Sequence, residues 1–165
     1  MAVTLGPLDL VVVDSLETAL HTHFGWSRFR AGQRPVVEAV LSGRDALAVL
    51  PTGGGKSLCY QLPALIRGGL VVVISPLVAV MEDQVLQLRR RGIAAACLHA
   101  GLDPVRRQQA MAALRDESLR LLYLAPERLQ GEATQRLLET HAAEGRLVAL
   151  AVDEAHCISA WGHEF

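Results

Sequence analysis

Two short segments carry side chains that could do chemistry, and the first is "PTGGGKS" at 51–57. Its glycines let backbone N–H groups approach an anion, its lysine supplies a positive charge, and its serine hydroxyl suits magnesium. Leu50 stands where the strict phosphate-loop template has its first glycine. Because the segment lies between an apolar run and a helical pattern, we interpret it as a nucleoside triphosphate loop. A plain glycine-rich turn is the alternative.

The second segment is "DEAH" at 153–156, which directly follows an apolar run. Nucleotide hydrolysis needs a second magnesium contact and a group that positions the attacking water. We assign the first role to Asp153 and the second to Glu154. An acidic turn that caps a helix is the alternative. Together with the glycine-rich segment, the pair favours a nucleotide hydrolysis site.

The elements that must position these segments alternate along the chain. Strands are predicted at 46–50, 70–75, 94–98, 120–125 and 147–152. Helices are predicted at 14–24, 33–43, 56–66, 78–91, 104–115 and near 131–143. This alternation predicts an α/β fold with a mostly parallel sheet flanked by helices. Ligands of such sheets bind at the carboxyl ends of the strands, where both segments fall.

Composition sets broader limits. A chain of 165 residues suits one domain, and with 51% hydrophobic but 4% aromatic residues its core is built from valine, leucine and alanine. The net charge of -1 gives no sign of nucleic-acid binding, so any such binding depends on local patches. No membrane-spanning stretch or secretory signal is recognised.

The cysteines and histidines show no ligand spacing. Cys59, Cys97 and Cys157 are odd in number and far apart, without a C-x-x-C pair. We therefore expect reduced cysteines in a cytoplasmic protein, bacterial cytoplasm or nucleoid, and neither disulfides nor zinc. Four histidines receive no role: His21, His23, His99 and His141.

Five segments in order resemble a known family. They are "FGWSRFRAGQ" (24–33), "PTGGGKS" (51–57), "SPLVAVMEDQV" (75–85), "YLAPERL" (123–129) and "DEAHCISAWGHEF" (153–165). From about residue 15 onward, the chain resembles the amino-terminal part of a RecQ-type ATP-dependent DNA helicase of superfamily 2. The resemblance implies a RecA-like P-loop NTPase domain with ATP and Mg²⁺ as cofactors, coupling hydrolysis to 3′–5′ translocation and duplex unwinding.

The resemblance also implies roles at the ATP site. Trp26 would stack on adenine while Arg30 and Gln33 contact its edge, and His156 would relay between the DNA and ATP sites. The residues expected to bind ATP are Trp26, Arg30, Gln33, Thr52, Gly53, Gly54, Gly55, Lys56 and Ser57. Those expected to hold Mg²⁺ are Ser57 and Asp153, and the catalytic set is Lys56, Asp153, Glu154 and His156.

DNA contacts follow from the same resemblance. Ser75, Pro76 and Leu77 would lie near the DNA backbone, although an ordinary strand-to-helix turn fits them equally. Trp161 and Phe165 would meet single-stranded DNA, since stacking on aromatic rings tolerates any base. A half-buried ring that pins the loop is the alternative for Trp161. Single-stranded and forked DNA are the expected partners.

The expected organisation is a helical lead-in with the adenine-recognition motif at 1–44, then a first RecA-like domain at 45–165, incomplete at its C-terminal end. Phe165 is interpreted as a cut, because the resemblance implies a second RecA-like domain, a zinc-binding region and a winged helix. The resemblance implies that the second RecA-like domain supplies arginines to the ATP, and arginine fingers of this kind raise the rate of phosphoryl transfer by about 10³–10⁵. Residues 1–165 alone are therefore expected to bind ATP weakly, to hydrolyse it slowly or not at all, and not to unwind DNA.

Two other functions stay open at this point. A short protein could keep affinity for nucleotide and DNA and act only as a non-catalytic binding module. An RNA-directed superfamily 2 ATPase is the second alternative, although the tryptophan-bearing loop after the carboxylates speaks against it.

Overall fold

The computed structural model describes residues 16–51 and 53–157. The chain divides into two compact units, one ending at Gly69 and one beginning at Leu70. This boundary differs from the predicted division after residue 44. The reason is that the helix following the glycine-rich segment packs against the two helices before it. The two units are described separately below.

The first unit is helical. It contains α1 (Leu16–Phe24), α2 (Gln33–Leu41) and α3 (Leu58–Arg67). Each helix contributes apolar residues to the core, among them the fully buried Leu20, Val37 and Leu62. The apolar periodicity of 14–24, 33–43 and 56–66 therefore predicted these helices correctly. Residues 14 and 15, the first two of the helix predicted at 14–24, lie outside the described residues.

The strand predicted at 46–50 is wrong. Residues 44–50 form neither helix nor strand, and Leu47 and Val49 are 85% and 88% exposed. A strand needs a neighbouring segment to complete its backbone hydrogen bonds. Within the described residues, this run pairs with none of the strands. An apolar pattern shows that a segment is suited to burial in a sheet, but it does not show that a neighbouring strand is available for pairing.

The second unit alternates strands and helices as predicted. Its elements are β1 (Leu70–Ile74), α4 (Val78–Arg90), β2 (Ala95–Leu98), α5 (Pro104–Arg115), β3 (Leu121–Leu124), α6 (Glu132–Ala143) and β4 (Leu147–Val152). Short 3-10 helices follow β3 and β4, at Pro126–Gln130 and Ala155–Cys157. The α/β fold class is confirmed.

The sheet is parallel and has the strand order β2-β3-β1-β4. Strands β1, β2 and β3 are buried along their length, whereas β4 lies at an edge and is partly exposed. Because the strands run in one direction, their carboxyl ends share one side of the sheet. His99, Ser75 and Asp153 directly follow β2, β1 and β4 there.

Two helix ends coincide with signals readable in the sequence, the start of α5 and the end of α4. Asp103 caps α5, since its Oδ1 accepts a hydrogen bond from the Arg106 N–H at 3.0 Å, and Pro104 occupies the first turn. Gly92 follows α4 with a φ of 75°, a left-handed conformation that favours glycine. None of the described helices combines the length and apolar character needed to cross a bilayer.

Candidate functional site

The glycine-rich segment forms a tight loop before α3. Gly53 and Gly55 have φ of 74° and 75°, which only glycine adopts without strain. The Gly54 N–H donates to the Pro51 carbonyl at 2.8 Å. Ser57 is the N-cap of α3, but within the described chain its hydroxyl makes no capping hydrogen bond. That hydroxyl and the positive end of the α3 dipole are therefore suited to binding an anion and its metal.

Two residues predicted to read adenine also hold this loop. Arg30 Nη1 donates to the Gly53 carbonyl at 2.5 Å. Gln33 Nε2 donates to the carbonyls of Gly54 at 3.1 Å and Gly55 at 3.0 Å. Gln33 is 1% exposed, and its Oε1 accepts from the Arg30 N–H at 2.8 Å. The loop is thus tied to the segment before α2, a role that sequence reasoning missed because spacing alone does not show it.

Trp26, Arg30 and Gln33 lie around one cavity. Its volume is about 320 Å³, and its lining residues are Gly25, Trp26, Ser27, Arg28, Arg30 and Gln33. Trp26 is 43% exposed and stacks on Phe24, which is 6% exposed, with ring centroids 5.4 Å apart. Phe24 is therefore the core residue and Trp26 the accessible ring. The cavity offers an aromatic face and a guanidinium, groups that can recognise a purine. The Gln33 amide forms part of its wall and is hydrogen-bonded to the loop and to the Arg30 N–H.

A cysteine next to the loop stays uncharged. Cys59 lies in the first turn of α3, and its Sγ donates to the Gln33 carbonyl at 3.9 Å. Burial raises the pKa of the Cys59 thiol to about 11. The neutral thiol adds no negative charge that would repel a phosphate. Cys59 and Cys97 are buried free cysteines, and Cys157 is a partly exposed one.

The acidic pair follows β4 in the second unit. The Asp153 N–H donates to the Ile74 carbonyl at 2.9 Å, which extends the β1–β4 pairing by one residue. Asp153 Oδ1 accepts from the Glu154 N–H at 3.0 Å. Glu154 has a φ of 51°, a left-handed conformation that costs a non-glycine residue roughly 1–2 kcal/mol. Its Oε2 lies 3.3 Å from His156 Nδ1, so three of the four predicted catalytic residues are adjacent here.

The predicted DNA-backbone turn after β1 runs from the buried Ser75 through the partly exposed Pro76 to the exposed Leu77. Ser75 is 1% exposed, and its hydroxyl accepts a hydrogen bond from the Leu77 N–H at 3.4 Å. Leu77 is 46% exposed. Ser75 therefore shapes the turn, while Leu77 can reach a ligand. Trp161 and Phe165 lie outside the described residues, as does Thr52 of the glycine loop.

Two residues without a predicted role join neighbouring strand ends. Arg128 Nη2 donates to the His99 carbonyl at 3.0 Å, and Glu127 Oε1 accepts from the Ala100 N–H at 3.3 Å. Both belong to the segment directly after β3, in the "YLAPERL" block. Their position at the carboxyl side of the sheet is the signal that could have identified them. The glycine loop lies in the first unit and the acidic pair in the second, so their convergence on one ligand stays a prediction.

Comparison with known proteins decides the family. The DEAD/DEAH box helicase profile matches residues 30–165, more than half of the chain. The chain belongs to the DEAD/DEAH box helicase family. It is 49% identical to an ATP-dependent DNA helicase RecQ of Synechocystis sp., over 92% of this chain and 31% of that protein. It is 45% identical to the Haemophilus influenzae ATP-dependent DNA helicase RecQ, over 90% of this chain and 23% of that protein.

These relatives confirm the resemblance of this DEAD/DEAH box chain to RecQ-type helicases, and the chain spans 31% and 23% of their lengths. Solved structures show the fold alone. A hypothetical ATP-dependent RNA helicase from Sulfolobus tokodaii matches with a TM-score of 0.67 and 19% identity, over 91% of this chain and 44% of that one. The DUF1998 helicase MrfA bound to DNA matches with a TM-score of 0.61 and 19% identity, over 86% of this chain and 21% of that one. The RecA-like fold is confirmed.

The two left-handed glycines allow a matched test of the Gln33 contact in this helicase-family loop. A Cβ on Gly55 would lie 2.6 Å from Gln33 Nε2, whereas one on Gly53 would meet nothing within 4 Å. Gly53→Ala is therefore expected to cost only the backbone strain, about 1–2 kcal/mol. Gly55→Ala should cost measurably more in urea unfolding of the full-length protein, because it also displaces Gln33. Equal losses in the two variants would contradict the proposed role of Gln33.

Proposed function

We propose that the chain is the ATP-binding part of an ATP-dependent DNA helicase that moves 3′ to 5′ along single-stranded DNA and unwinds duplexes. The observation that carries the proposal is the cavity lined by Trp26, Arg30 and Gln33, joined by hydrogen bonds to the glycine loop. An adenine-sized site and a phosphate-type loop thus lie in one compact unit. The reaction proposed is that of the similar proteins, which are ATP-dependent DNA helicases.

Base recognition and phosphate binding are coupled in this proposal. Adenine stacks on Trp26, and its edge is contacted by Arg30 and Gln33. Both polar side chains also donate to carbonyls of the glycine loop. Adenine binding therefore restrains the loop that receives the triphosphate. A nucleotide with another base would place its phosphates in the same loop. The edge of its base would match the hydrogen-bonding groups of Arg30 and Gln33 less well.

The residues that act on the triphosphate are those of the glycine loop and the acidic pair. Lys56 places its charge on the β- and γ-phosphates, and Ser57 and Asp153 provide oxygen ligands of the kind Mg²⁺ prefers. Mg²⁺ neutralises phosphate charge when bound. Glu154 orients and deprotonates the attacking water. His156, 3.3 Å from Glu154, reports on DNA binding. Phosphoryl transfer depends mainly on such positioning and charge.

Single-stranded and forked DNA are the proposed partners. Pro76 and Leu77 approach the DNA backbone from the turn that Ser75 holds, and Trp161 and Phe165 stack on bases. The free cysteines suit a reducing compartment, so we place the protein in the cytoplasm. Residues 1–165 alone are proposed to bind ATP weakly and not to unwind DNA, because the relatives are three to four times as long.

The proposal is tested by replacing Trp26 in the full-length protein. Base stacking on an aromatic contributes about 1–3 kcal/mol, so Trp26→Ala should raise the KM for ATP by roughly 5- to 150-fold. Trp26→Phe keeps a ring and should stay within a few-fold of the parent. Inhibition by inorganic tripolyphosphate, which has no base, should be the same in all three proteins. An unchanged KM for ATP in Trp26→Ala would exclude the adenine site.

The same assay separates DNA from RNA as the polymer. ATP hydrolysis by the full-length protein should rise with single-stranded DNA and much less with RNA of the same sequence. Stronger stimulation by RNA would favour the RNA-directed alternative. Nucleotide binding without any hydrolysis, with either polymer, would favour the non-catalytic module.

A further inference from the structure

Three side chains outside the proposed ATP site meet between α4 and β2. They are Glu82, Cys97 and His99, and their ligand atoms all lie within 4.8 Å of one another. Cys97 is 4% exposed and His99 is 5% exposed, whereas Glu82 is partly exposed. All three belong to the second compact unit. A thiol, an imidazole and a carboxylate form a donor set that transition metals bind.

His99 supplies an independent observation. Among the described residues, neither of its ring nitrogens has a hydrogen-bond partner, although both are buried. The nearest acidic oxygen, Glu82 Oε1, lies 3.5 Å from His99 Nε2. Buried polar atoms are nearly always paired, and an unpaired one calls for an explanation such as an ion. The imidazole therefore lies next to a thiol and a carboxylate without a hydrogen bond to either.

We propose that Glu82, Cys97 and His99 bind a zinc ion. Zinc takes sulfur, nitrogen and oxygen ligands in tetrahedral geometry, at distances that place the ligand atoms roughly 3.3–3.8 Å apart. Ligand atoms up to 4.8 Å apart need to close by about 1–1.5 Å to reach that spacing. A thiolate and a carboxylate balance the two positive charges of the ion, and a neutral imidazole adds none.

The surroundings fit this ion. Arg106 Nη1 lies 3.2 Å from Glu82 Oε1, so it can orient the carboxylate as an outer partner of a metal ligand. Cys97 and Arg106 also line a small cavity of about 20 Å³, which has room for about one water molecule next to the thiol. Burial raises the pKa of the Cys97 thiol, which Arg106 partly opposes. Zinc binding therefore displaces a thiol proton.

Zinc here would fix the start of α4 to the end of β2. Glu82 lies in the second turn of α4, only a few residues after the turn at Ser75–Leu77. The sequence analysis expected no zinc because the three cysteines are far apart and lack a C-x-x-C pair. Cys97 lies in β2, and His99 directly follows that strand two positions on, so both side chains fall on the same side of it. Only the packing of α4 on β2 brings Glu82 to that face.

The test is a zinc count on the full-length protein, stripped with a chelator, reloaded with zinc chloride and freed of unbound metal. Cys97→Ser and His99→Asn should each retain one zinc fewer per chain than the parent. The zinc count of each variant is compared with that of the parent, because other parts of a longer protein can bind zinc as well. Asp83→Asn is the matched control, since Asp83 is exposed and adjacent to Glu82. It should retain the parental count.

Two further measurements keep the proposal falsifiable. Cobalt loading should give a thiolate-to-cobalt absorption band that is weaker in Cys97→Ser than in the parent. Glu82→Gln, at a partly exposed position, should fold even if the buried variants do not, and should hold zinc more weakly. Equal zinc counts in the folded parent, His99→Asn and Glu82→Gln would overturn the proposal.

Discussion

Replacing Lys56 with alanine is expected to lower kcat/KM for ATP by about 10²–10³-fold, the usual cost of losing a preorganised group that stabilises transition-state charge. Lys56 is the only lysine among the 165 residues. It lies between the left-handed Gly55 and the N-terminus of α3, where its charge adds to that of the helix dipole. The measurement is phosphate release by the full-length protein with saturating single-stranded DNA.

Arg44→Ala is the control for Lys56. Arg44 is exposed, and it lies in the same compact unit. Its replacement removes the same charge and should leave hydrolysis within about twofold, since long-range charge effects at exposed sites are screened by salt. A Lys56→Ala enzyme with hydrolysis close to that of Arg44→Ala would exclude a phosphate role for the glycine loop.

Replacing Glu154 with glutamine should produce the other large effect. General-base catalysis contributes about 10²–10⁴-fold, so hydrolysis should fall by that factor. The amide has the shape of the carboxylate, so the left-handed backbone at residue 154 and the affinity for ATP should be retained. The measurements are single-turnover hydrolysis and equilibrium binding of labelled ATP, both on the full-length protein.

Glu139→Gln is the matched control for this substitution. Glu139 is exposed on α6, in the same unit as Glu154, and its replacement makes the same chemical change. It should leave both hydrolysis and binding unchanged. Loss of ATP binding and hydrolysis together in Glu154→Gln would assign Glu154 a structural role and argue against its action on water.

The strands of the second unit were predictable because each is a buried apolar run that ends at a turn signal. Both ends of β4, residues 147 and 152, agree with the prediction, and β1, β2 and β3 differ from it by one residue at most at either end. Helix α5 was equally clear, since Asp103 and Pro104 mark its start. These signals act within a few residues of the chain, so the sequence displays them directly.

What could not be predicted depends on contacts between distant residues. The segment 46–50 has the same apolar pattern as the strands, yet it has no partner among the described strands. Gln33 holds carbonyls more than twenty positions away. The pattern of aromatic residues did not show that Phe24 is buried while Trp26 is accessible. In each case the outcome depends on packing, which residue spacing does not encode.

The central claim is that the Lys56–Ser57 turn and the Asp153–Glu154 pair hold one metal-bound triphosphate. Replacing Mg²⁺ by Fe²⁺ and adding peroxide and ascorbate generates radicals that cut the backbone near the ion. With ATP present, the full-length protein should be cut both near residues 53–57 and near 153–154, and Lys56→Ala should lose both cuts. ATP-dependent cutting at one segment without the other would contradict a shared metal ion.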